Sequence, residues 1–168
     1  MVADSRSKRP LILLAAGVLA VDQVTKYAVE KLTQAGTSHV LIPGLLNIVH
    51  TSNPGVAFGL LADSEMPWRA PLLIFFAVAV IALIFWLLAT GRAGGRLGER
   101  GMTLILGGAM GNVLDRILRH SVTDFVDCYV GSHHWYTFNV ADFAIVLGAM
   151  LVILELLRDW RHPSQERA

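Results

Sequence analysis

Four stretches of the chain are apolar over about the length of a membrane span. Residues 72–89 are the clearest, because they form a run of 18 residues without a charged side chain, the threshold for a spanning helix. The stretches 11–29, 102–118 and 143–157 are also apolar, although each contains polar residues, and 102–118 is the least apolar. The pattern predicts an all-α membrane protein with four transmembrane helices at about these positions.

Shorter patterns lie outside the predicted spans. Residues 39–42 and 46–50 have strand-like composition, and the Pro43-Gly44 pair between them is a turn signal. We therefore predict a small extracytoplasmic β-cradle between helices 1 and 2, within the segment 31–70. The segment 120–140 is dense in aromatic residues next to a span, which predicts a belt at the membrane–water interface.

Composition agrees with a membrane environment. Of the 168 residues, 54% are hydrophobic and only 16% are charged, and the mean hydropathy is +0.55. The length predicts a single domain, residues 1–168. The net charge of +1 gives no field that would attract nucleic acid, and the single Cys128 cannot form an internal disulfide.

The distribution of basic residues predicts the orientation. With four spans, the N-terminus, the loop 91–101 and the C-terminus lie on one side, and together they hold 9 of the 14 Lys and Arg residues. The positive-inside rule therefore predicts that both termini are cytoplasmic. A cleavable signal peptide is an alternative for the first stretch. The helix-compatible pattern that continues past Ala20, without an A-x-A cleavage site, favours a span.

Ionisable and polar residues form patterns inside the first and third predicted spans, where each costs free energy. Asp22 and Lys26 are spaced i, i+4, and a second helical stripe contains Asn112, Asp115, Arg116 and Arg119. Gly107 and Gly111 have the G-x-x-x-G spacing that allows close helix packing. The pairs Asp22–Lys26 and Asp115–Arg116 have a structural interpretation, as neutralising pairs that fix packing, and a functional one, and the spacing leaves both open.

Two further carboxylates are expected at the outer boundary. Asp124 follows the third span and Asp142 opens the fourth. Asp142 has the spacing of a helix-capping acid behind Asn139, and Asp124 alone could be an exposed loop residue. At the same depth, however, the two carboxylates form a candidate acid/base dyad, because two close carboxylates do not both ionise readily.

Other chemistries have less support in the sequence. There is no H-E-x-x-H motif and no serine in a G-x-S-x-G setting, and adjacent His133 and His134 do not form a typical metal site. We therefore predict no metal and no cofactor. A small transporter or proton relay is the alternative function, with Asp22, Lys26, Asp115 and Arg116 as its relay. Such a relay needs a path to the cytoplasm, and the inner halves of the spans are apolar as far as Glu155.

The polar motifs, taken together, resemble the bacterial lipoprotein signal peptidase family, also called signal peptidase II. The matching stretches follow the family's order and spacing from the first span to the fourth: residues 22–26 (DQVTK), 53–59 (NPGVAFG), 107–116 (GGAMGNVLDR), 122–125 (VTDF) and 138–142 (FNVAD). One departure is Pro54, where many members have another residue, and it concerns only the local geometry of the loop.

The resemblance implies a four-helix membrane bundle with a β-cradle and a catalytic pair, Asp124 and Asp142. It also implies supporting roles for Asp22, Lys26, Asn53, Gly55, Gly107, Asn112, Asp115, Arg116 and Asn139. The expected activity is endoproteolysis of diacylglyceryl-modified prolipoproteins just before the lipidated cysteine, without a cofactor. The family is the target of the cyclic peptide globomycin.

The resemblance also sets expectations for partners and location. We expect a monomer in the bacterial inner membrane, in contact with lipid and prolipoprotein substrate, with its active site near the periplasmic face. One aspartate would act as base on water and the other, protonated, as acid; the sequence leaves open which carboxyl holds the proton. Gly55 and Gly59 suggest that the segment 31–70 closes over the site as a lid.

Overall fold

The computed structural model describes residues 8–55 and 68–161. Its four long helices are α1 (Arg9–Leu32), α2 (Arg69–Ala89), α3 (Arg96–Arg119) and α4 (Val140–Arg161). The prediction of four helices is therefore confirmed, and each helix extends past the apolar stretch that predicted it. Local signals fix some of the ends. α1 begins with a proline in its first turn, and α3 is capped at its C-terminus by His120, which adopts the left-handed conformation with φ 60°.

Three of these helices are long and apolar enough to cross a membrane, namely Arg9–Leu32, Ala70–Ala89 and Val140–Arg161. α3 is less apolar, and its position in the bundle explains why. It contacts α1, α2 and α4, so much of its surface meets protein and does not need an apolar composition. The outer faces of the other helices remain exposed and apolar, as at Phe75, Phe85 and Leu156.

Glycines bring the backbones of α3 and its neighbours into close contact. A Cβ added at Gly107 would lie 2.8 Å from the carbonyl oxygen of Ala15 in α1. A Cβ at Gly101 would lie 2.6 Å from the carbonyl oxygen of Gly148 in α4. These distances are shorter than real Cβ contacts, so α3 can approach both helices only because glycine occupies these positions.

Four antiparallel strands form one sheet in the order β1 (Ser38–Ile42), β2 (Leu46–Asn53), β3 (Val122–Val130) and β4 (His133–His134). The two strands predicted after helix 1 are confirmed, and Gly44 in the turn between them has φ 77°. The predicted sheet was incomplete, because half of its strands come from the segment 120–140 that was predicted as an aromatic belt. Residues 122–125 are all buried, so β3 lacks the alternation that reveals a half-exposed strand.

The pairing of β2 with β3 positions the candidate site. Thr51 is the Cα partner of Asp124, and Asn53 is the partner of Val122. The polar turn at Asn53 is therefore held beside the start of β3, close to the ends of α3 and α4. Gly59, on which the predicted lid partly depends, lies outside the described residues.

Candidate active site

The two predicted carboxylates line one cavity of about 450 Å³. Asp124 is carried by β3 and is 1% exposed, whereas Asp142 lies in the first turn of α4 and is half-buried. Asn53, Asn112 and Arg116 line the same cavity. Five predicted site residues from four different elements therefore converge on one space.

Asp124 is held by two side-chain amides. Asn53 Nδ2 donates to its Oδ2 at 2.9 Å, and Asn139 Nδ2 donates to its Oδ1 at 2.7 Å. Asn139 is fully buried, so its position is fixed by packing as well as by hydrogen bonds. Each carboxylate oxygen thus has a neutral donor, which orients the group without neutralising its charge.

Asp142 is bound in two ways. Asn112 Nδ2 donates to its Oδ1 at 2.8 Å, and the backbone N–H of Asn139 approaches its Oδ2 at 3.4 Å. Asn139 Oδ1 in turn accepts a hydrogen bond from the Asp142 backbone N–H at 2.9 Å, which completes a capping box at the start of α4. The predicted cap is therefore present, and the same carboxylate still faces the cavity.

The electrostatic environment of Asp124 favours its protonated form. Burial, followed by the negative charge of Asp142, raises the pKa of Asp124 to about 6. The hydrogen bonds from Asn53 and Asn139 and the charge of Lys26 act in the opposite direction. The two carboxyl groups are thus electrostatically linked, as a dyad requires.

Behind the cavity lies a buried charge cluster formed by Asp22, Lys26 and Asp115, all of which are fully buried. Lys26 Nζ contacts Asp22 Oδ2 at 2.8 Å and Asp115 Oδ2 at 2.6 Å. Its third contact is Asn112 Oδ1 at 3.0 Å. The ammonium of Lys26 therefore makes two ion pairs and one hydrogen bond, all with buried groups. The cluster is connected to the cavity through Asn112, which holds Asp142.

Asp22 also fixes the start of α4. Its Oδ1 accepts a hydrogen bond from the backbone N–H of Ala141 at 2.9 Å, at the positive end of the helix dipole. Ala141 directly precedes Asp142. Gln23, which sequence reasoning did not single out, donates to Asp22 Oδ2 at 3.2 Å and to Asp115 Oδ1 at 3.0 Å.

The two pairs that the sequence left open differ in the structure. Asp22 and Lys26 form an ion pair, whereas Asp115 pairs with Lys26 and Arg119 instead of Arg116. The reason is helical geometry. Residues adjacent in a helix point about 100° apart, so Asp115 faces α1 while Arg116 faces the cavity.

Arg116 joins the cavity to the Asn53 turn. Its Nη2 donates to the Gly55 carbonyl at 2.7 Å, and the Gly55 N–H donates to Asn53 Oδ1 at 2.9 Å. Gly107, in contrast, lies at the contact of α3 with α1 and does not line the cavity. Gly107 therefore allows α1 and α3 to pack closely, and it does so away from the cavity itself.

One wall of the cavity is apolar. It is formed by residues of the segment before α4 and of α4 itself, including Trp135, Phe138, Phe143, Ile145 and Val146. Phe143 is 60% exposed and Val146 is 51% exposed on the outer face of the bundle. The cavity lining thus combines charged and amide groups with apolar side chains suited to hydrocarbon. Within residues 8–55 and 68–161, no three His, Cys, Asp or Glu side chains are close enough to share a metal ion.

Comparison with known proteins agrees with this arrangement. The family model described as signal peptidase (SPase) II matches residues 14–158. The lipoprotein signal peptidase of Solibacter usitatus is 45% identical over 151 residues, which cover 90% of this chain and 92% of that protein. The lipoprotein signal peptidase of Maridesulfovibrio salexigens is 42% identical over 141 residues, covering 84% of this chain and 90% of that protein.

Solved structures give the same result. A bacterial membrane enzyme determined by the in meso method at 2.3 Å resolution superposes with a TM-score of 0.83 and 28% identity, covering 95% of this chain and 94% of that chain. A second such structure, at 1.9 Å resolution, gives a TM-score of 0.80 at 28% identity and covers 89% of this chain and 94% of that chain. Because the family model and these relatives span nearly the whole chain, this protein belongs to the signal peptidase II family.

Proposed function

We propose that this signal peptidase hydrolyses diacylglyceryl-modified prolipoproteins just before the lipidated cysteine, with Asp124 and Asp142 as its catalytic dyad. The observation that carries the proposal is that both carboxylates line a single cavity whose lining combines polar groups with apolar side chains. A lipidated peptide has the same combination, because its backbone is polar and its acyl chains are apolar.

The dyad acts by general acid–base catalysis on water. One aspartate accepts a proton from the water molecule as its oxygen attacks the scissile carbonyl carbon. The other, protonated, donates its proton to the developing oxyanion, which gives a neutral tetrahedral intermediate. When the C–N bond breaks, the first aspartate gives the proton that it took from water to the leaving amine, and the second recovers a proton from a hydroxyl of the intermediate as the new carboxyl group forms. The burial of Asp124 and the neighbouring carboxylate of Asp142 support this division of roles, because both disfavour two negative charges in the site at once.

The surrounding polar groups hold the dyad in place. Asn53 and Asn139 orient Asp124, while Asn112 and the α4 cap orient Asp142. Arg116 contributes a positive charge to the cavity and suits a role in binding substrate carbonyl groups. The apolar wall at Phe143 and Val146 suits the hydrocarbon of the lipid-modified cysteine.

The proposed topology makes α3 the fourth span, although among the described helices only the other three are long and apolar enough to cross a membrane by composition. Its central position among α1, α2 and α4 supports this assignment, because protein shields its polar residues from lipid. In this topology both termini are cytoplasmic, the sheet lies on the periplasmic surface of the inner membrane, and the dyad lies near that surface. One polypeptide contributes both aspartates, which supports a monomer.

The proton-relay alternative has less support. Lys26 would be its central group, but it is fully buried, is ion-paired with Asp22 and Asp115, and donates a hydrogen bond to Asn112. A buried ammonium between two carboxylates is suited to holding the fold together, because breaking the pairs would leave an uncompensated buried charge.

The test is a gel-shift cleavage assay with purified protein in detergent and a diacylglyceryl-modified prolipoprotein. Wild type should cleave in the presence of a chelator, whereas Asp124→Asn and Asp142→Asn should each be inactive while remaining folded. Asp127→Asn is the matched control, since this nearly buried carboxylate of the same strand binds Asn47 and His134 instead of facing the cavity. Ordinary cleavage by either dyad variant would refute the dyad.

A further inference from the structure

A residue outside the family motifs connects α1 to the strand that carries Asp124. Glu30 lies one helical turn beyond Lys26, and its Oε1 accepts a hydrogen bond of 2.7 Å from the hydroxyl of Thr123. The same oxygen lies 3.1 Å from Nε of Arg119, at the end of α3. Thr123 is the residue immediately before Asp124.

The Thr123–Glu30 hydrogen bond is shielded from solvent. Thr123 is only 6% exposed, and the side chains of Glu30 and Arg119 are 24% and 28% exposed. Hydrogen bonds to a charged acceptor in such surroundings are stronger than neutral ones. The contact therefore restricts where this part of β3 can lie relative to α1.

The position of Thr123 controls that of Asp124 through the pleat of the strand. Adjacent side chains in a strand point to opposite faces, so Thr123 faces α1 when Asp124 faces the cavity. The carbonyl oxygen of Thr123 is also approached by Asn139 Nδ2 at 3.4 Å. The residue before the carboxylate is thus held by its side chain and by its backbone.

The same buried charge cluster reaches both carboxylates. Toward Asp142, Lys26 holds Asn112, which donates to the carboxylate. Toward Asp124, the connection runs from Asp115 to Arg119, from Arg119 to Glu30, and from Glu30 to Thr123. The first connection ends on the carboxylate of Asp142, whereas the second ends on Thr123, the strand residue before Asp124.

We propose that Glu30 and Thr123 are positioning residues that hold Asp124 at the reacting geometry, with Arg119 orienting Glu30. This inference rests on the proposed role of Asp124 in the dyad. The side chains of Glu30 and Thr123 act through the backbone of β3. Their loss should therefore reduce the rate of the chemical step and leave substrate binding intact.

The first test measures kcat and KM for Thr123→Val, which keeps the shape of the side chain and removes the hydroxyl. We expect kcat to fall about tenfold and KM to stay within about twofold of wild type. Thr123→Ser, which retains the hydroxyl, should keep kcat within about twofold of wild type. Thr103→Val is the matched control, because Thr103 is 1% exposed and its hydroxyl donates to the Glu99 carbonyl in its own helix.

The second test concerns the acceptor. Glu30→Leu should lower kcat about as much as Thr123→Val, and adding Thr123→Val to it should cause little further loss, because both remove one interaction. Glu30→Gln keeps an oxygen for Thr123 but loses the charge that pairs with Arg119, so it should retain more activity than Glu30→Leu. Size-exclusion profiles and melting temperatures would show that each variant is folded.

The outcomes separate this inference from the dyad itself. If Asp124→Asn is inactive but Thr123→Val keeps the kcat of wild type, or if Thr123→Ser is as impaired as Thr123→Val, the positioning role is overturned and the dyad stands. A rise in KM at constant kcat would also overturn it. If Asp124→Asn is active, the proposed function fails first, whatever the Thr123 variants show.

Discussion

Asn112 donates a hydrogen bond of 2.8 Å to Asp142 Oδ1 from its side-chain amide. The carbonyl oxygen of the same side chain accepts hydrogen bonds from Lys26 at 3.0 Å and from Asn139 at 3.3 Å. An amide can do this because it carries donors and an acceptor on one planar group. A carboxylate has no N–H donor, and an apolar side chain has neither donor nor acceptor. Asn112 can therefore link the buried charge cluster to the proposed dyad, whereas these side chains could not.

Replacing Asn112 by Leu should lower kcat about a hundredfold, because Asp142 loses the donor that orients it. KM should change much less, since the apolar wall of the cavity is unaffected. The measurement is steady-state cleavage of the lipidated prolipoprotein by wild type and variant in the same detergent.

The control for Asn112→Leu is the melting temperature of the purified variant, which separates loss of orientation from loss of fold. Lys26 keeps its ion pairs with Asp22 and Asp115 in this variant, so the bundle should stay folded. A folded Asn112→Leu enzyme with unchanged kcat would show that Asp142 does not need this hydrogen bond.

The helices and the first two strands could be predicted because their signals are local. Residues 72–89 form an apolar run, and Pro43-Gly44 marks a turn whatever the rest of the chain does. β3 could not be predicted in the same way, because it is buried on both faces and its aromatic content also fits an interfacial belt. Its identity as a strand depends on pairing with β2, which is a long-range contact.

The site shows the same division between local and long-range information. The i, i+4 spacing of Asp22 and Lys26 predicted their ion pair correctly. The sequence left the pairing of Asp115 open, because its contact with Lys26 depends on which face of α3 meets α1. Glu30 lies four residues after Lys26, as Lys26 lies four residues after Asp22. The sequence therefore did contain a signal that places Glu30 on the same helix face.

A second prediction concerns the ionisation of Asp124. The charge of Asp142 is, after burial, the main influence that raises the pKa of Asp124 to about 6. Asp142→Asn removes that negative charge and leaves most of the burial in place. The pKa of Asp124 should therefore fall below about 6 in this variant.

Infrared difference spectroscopy during a pH titration measures this shift. The protonated carboxyl band of Asp124, assigned by its absence in Asp124→Asn, should disappear at lower pH in Asp142→Asn than in wild type. An acid with a lowered pKa loses its proton at lower pH, which fixes the direction. Asp127→Asn should leave the titration unchanged, and an unchanged titration in Asp142→Asn would mean that the two carboxyl groups do not interact.

The last prediction compares two glycines, one in each of the helices that form the buried charge cluster. A Cβ added at Gly111 in α3 would lie 2.5 Å from Asp22 Oδ2 and 3.2 Å from its Cγ, whereas a Cβ at Gly17 in α1 would meet nothing within 4 Å. Asp22 cannot easily move away, because its two oxygens are bound by Lys26 and by the Ala141 N–H. Gly111→Ala should therefore lower the free energy of unfolding by about 1–3 kcal/mol, the range for overpacking a core.

Gly17→Ala is the matched control, since it is the same substitution at an exposed position within a helix. It should leave the free energy of unfolding unchanged or raise it by roughly 0.5–1 kcal/mol, because alanine favours the helix over glycine. Thermal unfolding of both variants in one detergent gives the comparison. Displacement of Asp22 would also shift the first turn of α4, so Gly111→Ala should lower kcat while Gly17→Ala does not. Equal stability and equal activity of the two variants would show that Asp22 and α4 tolerate the added methyl group, and that α3 need not pack so closely for the site to work.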